Sequence, residues 1–421
     1  MTKQKRLLQK LFGFLLAFVL LFSQNLLFSV VPIYAAARTW NFSNSSDYTY
    51  DSDNIEISFG QAQLKAPDDW YNSSWHYRKP IMVDNTRNPS KLTLGNYQVR
   101  LPVTYDPDMQ PDFDDIRFTD SDGSTLINHW LESKTDSISA TFWVEVPDIP
   151  TSSTKIIYMY YGNPRANSTS DGDATFIFFD DFETGDFSKW GVAEKNWHIE
   201  NSVVKEGSYS ARVTTTEADQ GNGYLLKWYI GRSIRIQTWA RTDNGTGESC
   251  SAGFITFISY SKESYSCSLF FGGPLGDGLG SFRYRCNPGG PTTFPNDKKY
   301  SYNTWYKTEV ILDFENSLQK TYVDGINLGD IILEDNNQTV ITPSGLLRTF
   351  GAISATSSGT INFYIDNYRV SQYTSPEPTI SFGSEETSSP LVKVGRIIKN
   401  MKTGIINFVT MLLDIFKKLF H

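Results

Sequence analysis

The sequence has little of what metal and redox chemistry needs. It holds four histidines and three cysteines in 421 residues, too few for a metal-cluster protein or a disulfide scaffold. His76, His129, His198 and His421 are scattered and form no His-Glu-x-x-His pair, which excludes the common zinc hydrolase arrangement. There is no Gly-x-Ser-x-Gly elbow for a serine nucleophile. No strand carries the Glu-x-Asp-x-x-Glu alternation of a retaining glucanase. Cationic surplus is also missing from most of the chain. Residues 38–390 carry 28 Lys and Arg against 45 Asp and Glu, a net charge of −17, which excludes a nucleic-acid surface. What is abundant is aromatic: 28 Phe, 23 Tyr and 10 Trp. With much Ser, Thr, Gly and Asn they point to β-structure.

The two ends differ from the body. Residues 1–37 read as an export leader: Lys3, Lys5, Arg6 and Lys10, then the apolar run Leu11–Phe22, then Ala35-Ala36-Ala37, the small residues a signal peptidase accepts. The apolar character continues to Tyr34, so an uncleaved anchor is the alternative. Residues 391–421 carry six Lys and Arg against Asp414. Val394, Ile397, Ile398, Met401 and Ile405 recur there at helical spacing, with Lys393, Arg396, Lys399 and Lys402 on the other side. This pattern predicts a basic amphipathic helix for a membrane surface or a partner protein. Packing on the protein's own domains is the alternative.

Between the ends the apolar period is two. Ala140, Phe142, Val144 and Val146 alternate with Thr141, Trp143 and Glu145, the signature of a half-buried strand. Strands are also predicted at Ile81–Val83, Tyr97–Val103, Ile116–Thr119, Leu126–Leu131 and Ile156–Tyr161. Asp122-Gly123 and Asp324-Gly325 are hairpin turn signals. A polar stretch, Asn167–Ala174, divides a first β-rich module at 70–170 from a second at 175–373, preceded by a lead-in at 38–69. Thr374–Pro390 reads as a linker with one short strand, Thr379–Phe382. The expected fold is all-β: two tandem β-sandwiches, a leader helix and a tail helix.

The segments "WHYRKPIMVDN" (75–85), "LGNYQVRLPVTYDPDMQPDFDDIRFTDSDGSTLINHWLES" (94–133) and "ATFWVEVPDIPTSSTKIIYMYYGNP" (140–164) resemble the exported family called domain of unknown function 2341, over about residues 70–170. The resemblance implies a β-sandwich of surface proteins and brings no catalytic residues. The second module, with "FFDDFETGDFSKWG" (178–191), "VKEGSYSARV" (204–213) and "INFYIDNYRV" (361–370), is similar to concanavalin-type and jelly-roll lectin sandwiches. That likeness implies a structural calcium shared by Glu183 and Asp366, with Asp181 as a helper and a backbone carbonyl from the Glu206-Gly207 loop. Ca²⁺ takes six to eight oxygens in irregular geometry.

Sugar binding needs aromatic faces for pyranose rings and polar groups for hydroxyls. The candidates are Trp228, Tyr229, Trp239, Tyr260, Tyr265 and Trp305, with Trp70, Trp75 and Trp130 in the first module; core packing is the competing role for each. One disulfide among Cys250, Cys267 and Cys286 is expected in an oxidising compartment, and spacing does not choose the pair. The function expected is that of a non-catalytic, exported surface protein whose lectin-like sandwich binds glycan or another extracellular polymer. The alternatives are a structural or adhesive envelope protein that binds proteins and, third, a glycan-cleaving enzyme built from two carboxylates distant in sequence.

Overall fold

The computed structural model describes residues 70–388, except for 89–92, 194–195, 217–222, 231, 244–250, 260–264, 273–279, 287–291, 294–297, 333–343 and 352–359, and it also describes 55–58 and 61–64. The chain divides into two units, Asp69–Ser388 and the two ends taken together. In the unit of the ends, Ile55–Ser58 pairs antiparallel with Gln61–Leu64. The leader and the tail helix lie outside the described residues.

The Asp69–Ser388 unit is all-β, as expected, with one short helix at Gly172–Thr175. Four antiparallel sheets build it. Sheet 1 runs Thr379–Phe382, Tyr77–Asp84, Thr154–Tyr161 and Arg117–Thr119. Sheet 2 is Leu94–Thr104, Ser139–Ile149 and His129–Thr135. Their inner faces meet through Phe118 and Phe142, whose rings lie 5.6 Å apart. The alternation read from Ala140 to Val146 places Phe142 and Val144 in this core, at 2% and 0% exposure.

Sheets 3 and 4 form the second sandwich; sheet 4 runs Val192–Ala193, Gly223–Ile230, Ser344–Gly351, Ser251–Ser259, Tyr265–Gly272, Gly280–Cys286 and Thr292–Thr293, with Lys299–Tyr300 also paired to Gly280–Cys286. Sheet 3 centres on the last long strand, Thr360–Gln372, which pairs with Ile234–Thr242 along one edge. Its other edge is shared by Ser210–Thr216 and by Phe178–Asp180, the strand of the opening motif. Beyond Ile234–Thr242 come Tyr306–Asp313, Leu318–Val323 and Ile326–Ile332. Asp324 (φ 49°) and Gly325 (φ 77°) join the last two, the pair of left-handed residues a tight hairpin turn requires. Ile234, Ile236, Val310 and Phe363 turn inward to meet Leu269, Phe271 and Phe282 of sheet 4. By alternation the opposite face of sheet 3 carries Arg235, Gln237, Trp239 and Arg241 from one strand and Lys307 and Glu309 from the next, with Trp305 just ahead of that second strand.

Two features depart from a picture of separate beads on a string. The outer face of sheet 2 lies against the outer face of sheet 3, and a small cluster of Trp130, Trp143, Phe176 and Phe179 fills the junction. The segment after the second sandwich is not simply a linker. Thr379–Phe382 and Glu386–Thr387 return to the first sandwich and both pair with Tyr77–Asp84. The Pro, Ser, Thr and Glu content that suggested a linker instead suits an edge strand, where one side faces water.

Candidate binding cleft between the two sandwiches

A cleft of about 680 Å³ opens where sheets 2 and 3 diverge. Arg235, Gln237, Lys307, Glu309 and Tyr322 rise from the outer face of sheet 3. Tyr97, Arg100 and Trp143 face them from sheet 2. The returning segment Glu377–Ile380 makes the third wall. On sheet 3 period-two alternation explains the placement: Arg235 and Gln237, like Lys307 and Glu309, stand two residues apart while Ile234, Ile236 and Val310 turn into the core.

The polar groups are fixed by two ionic clusters. In the first, Glu132, at 6% side-chain exposure, meets three cations: Arg369, Lys307 and Arg100. The Arg100 contact is 2.9 Å, and the Trp143 indole N–H donates to the same carboxylate at 3.2 Å. Burial works to raise the Glu132 carboxyl, but the charges of Arg369 and Lys307 overcome it and hold it at about 2. Arg369 also donates to the Gln237 and Asn367 side-chain oxygens at 3.0 and 3.2 Å and lies 5.0 Å from the Trp130 ring.

In the second cluster, Arg235 stands between two carboxylates. It donates to Glu377 at 2.7 Å and lies 3.4 Å from Glu309. Burial disfavours its charge, yet the two carboxylates outweigh burial and raise its pKa. The Tyr97 hydroxyl donates to Glu377 at 3.3 Å, and Gln237 donates to Glu309 at 2.5 Å. The cleft therefore offers anchored donors and acceptors on rigid strands, with the ring of Tyr322 at one side.

The sequence-predicted aromatics fall elsewhere. Trp239 and Trp305 stand on the same face of sheet 3, outside the cleft lining. The Trp239 indole N–H donates to Glu206 at 3.0 Å, with the Lys205 ammonium 4.3 Å over its ring. Trp305 meets Tyr364 edge-on at 6.3 Å. Both are partly buried. Trp70 and Trp75 are buried, and Trp130 belongs to the junction cluster. Tyr260 and Cys250 lie outside the described residues, as do the side chains of Trp228, Tyr229, Tyr265, Cys267 and Cys286. The backbone register nevertheless sets Cys267 opposite Cys286 on adjacent strands. The cleft residues themselves carried no local motif, because five separate strands and the returning segment supply them.

Glu183 and Asp366 both hold the 205–209 loop. Glu183 accepts from the Ser208 and Tyr209 amides at 2.8 and 2.9 Å. Gly207 (φ +67°) sits so close that an added Cβ would fall 2.3 Å from the Glu183 carboxylate. Asp366 is fully buried and accepts from the Lys205 and Glu206 amides at 2.9 and 3.1 Å. Its Oδ1 is buried with no hydrogen-bond partner, and burial pushes the carboxyl up to about 7. Asp181 only receives the Glu183 amide, at 3.4 Å. The buried acid of the opening motif is its neighbour Asp180, which accepts from the Trp190 indole at 2.7 Å. Among the described residues no three Asp, Glu, His or Cys side chains converge as a metal-binding group.

Sheet arrangement and junction define a tandem β-sandwich protein with a shared cleft. Residues 112–198 match the family model of the domain of unknown function DUF2341. The matched segment starts inside the first sandwich and runs past the junction, where Trp130, Trp143, Phe176 and Phe179 pack together. No curated protein matches the sequence. Among solved structures, the chain is similar to the cellulose-induced protein Cip1 at 13% identity and TM-score 0.36, covering 47% of this chain and 97% of that one. It is similar to an endo-β-1,4-glucuronan lyase from the fungus Trichoderma reesei at 12% identity and TM-score 0.32, covering 48% and 98%.

Proposed function

We propose that this is a non-catalytic, exported surface protein that holds a glycan in the cleft between its two sandwiches. The observation that carries the reading is the cleft's construction: donors and acceptors alternate along its floor and are held in place by ion pairs. Sugar hydroxyls donate and accept at once, and fixed polar groups beside an aromatic ring suit them. Pre-organisation lowers the entropy cost of holding a flexible polymer. The leader-like start of the sequence supports export, and the basic tail supports residence near a membrane surface.

A structural calcium at the 205–209 loop belongs to the same proposal. Asp366 and Glu183 would hold it, and the orphaned Oδ1 of Asp366 fits a cation. Backbone carbonyls or water would have to complete the shell. The ion would pin the loop to the last strand.

The test is depletion of the full chain from solution by insoluble polysaccharides and by isolated cell envelope. Retention on a polysaccharide that weakens in Tyr322→Ala supports glycan binding. Retention only on protein-bearing envelope overturns it in favour of the protein-binding alternative.

A further inference from the structure

The two ionic clusters of the cleft are unequal in charge. Glu132 is one carboxylate facing three cations. Arg369 is consumed by this contact and by Gln237 and Asn367. Lys307 and Arg100 are not: their side chains are 33% and 52% exposed. Only the Nε of Arg100 is engaged by a hydrogen bond among the described residues, so its terminal nitrogens face the cleft or solvent. At contact distance this end of the cleft sets three cations against one carboxylate, with Glu206 and Glu309 acting on Arg369 from further off, in a body whose net charge is −17. The other end is reversed, with Arg235 alone between Glu309 and Glu377.

A neutral sugar has no use for such a gradient. A sugar ring with a carboxylate or sulfate does: its anionic group meets a guanidinium and an ammonium, and its hydroxyls donate to the carboxylates further along. Charge-assisted hydrogen bonds to Arg are stronger than neutral ones and directional. Glu132 lies behind both cations and fixes their positions without covering them.

We propose that the glycan bound in the cleft is acidic, with Arg100 and Lys307 receiving its carboxylate or sulfate and Glu309 and Glu377 accepting from its hydroxyls. The proposal rests on the glycan-binding reading and narrows it to a ligand class.

The test is an array of immobilised uronate-bearing, sulfated, sialylated and neutral glycans, probed with the full chain. The expected result is binding to one or more acidic glycans, reduced about tenfold by Arg100→Gln and by Lys307→Gln, and reduced by added salt. Which acidic arm responds distinguishes carboxylate from sulfate. Melting temperatures of the two variants verify folding, and Glu309→Gln should weaken binding with the cationic end intact. Binding to neutral glycans alone, or acidic binding untouched by both cation substitutions, overturns the proposal and leaves glycan binding standing. No binding to any glycan overturns both.

Discussion

Arg369, buried on the last strand of the second sandwich, donates to Glu132, buried on the first. The contact crosses 237 positions of sequence, and the same carboxylate holds the cleft residues Lys307 and Arg100, so the stability of the fold and the shape of the cleft share a residue. Removing one partner of a buried pair leaves the others uncompensated. Glu132→Gln is expected to cost about 3 kcal/mol or more in urea denaturation. It should also weaken glycan binding by loosening Arg100 and Lys307.

Acid should act through His129 and Glu132 in separate windows. His129 is buried beside Phe118 and Phe142, and burial lowers its pKa from 6.5 to about 4. A depressed folded value means the unfolded chain binds the proton first, so stability present above pH 6.5 is lost as pH falls towards 4. Glu132 follows between its ordinary 4.5 and about 2. Asp180 and Asp366, raised by burial, slope the opposite way, so wild type alone does not separate the contributions. Compared with wild type, His129→Phe should lose less stability on acidification across the first window only. An unchanged pH dependence would contradict the buried neutral imidazole.

Calcium should raise the melting temperature of wild type, and Asp366→Ala should abolish the increment. Binding to the folded state alone stabilises by mass action. A melting temperature indifferent to calcium would remove the ion from the proposal and leave the loop held by the amide bonds to Glu183 and Asp366.

Cys267 and Cys286 should form the disulfide. Their strands set them directly opposite, within the Cα separation a bridge needs. Peptide mapping of non-reduced protein should recover this pair, with Cys250 as the remaining thiol. A bridge to Cys250 would contradict the register.

Most strands and the hairpin at Asp324-Gly325 were legible because period two and turn chemistry are local signals; the strand expected at Leu126–Leu131 instead runs His129–Thr135, with Leu126 making a single bridge to Thr119. The calcium candidates rest on resemblance alone, and the structure adds that Asp180, rather than Asp181, is the buried acid of that motif. The cleft was not legible. Its charged residues read in sequence as exposed positions of ordinary strands. Nothing local says that Arg235 and Glu377 meet, or that Lys307 finds Glu132. The aromatic criterion selected Trp239 and Trp305, whose positions lie beside the cleft, because tryptophan is conspicuous in a sequence while a pair of opposed sheets is not.

The return of Thr379–Phe382 to Tyr77–Asp84 sets an order of assembly. A chain made from its N-terminus releases nearly all of the first sandwich early, but the strand that finishes sheet 1 arrives only after the whole second sandwich has been synthesised. Until then the Tyr77–Asp84 edge is unpaired, and an unpaired edge is a place where another strand can add. This late-made pairing is thus among the longest in sequence, and it also raises the third wall of the cleft. The cleft is therefore walled on all sides only when both sandwiches have been made.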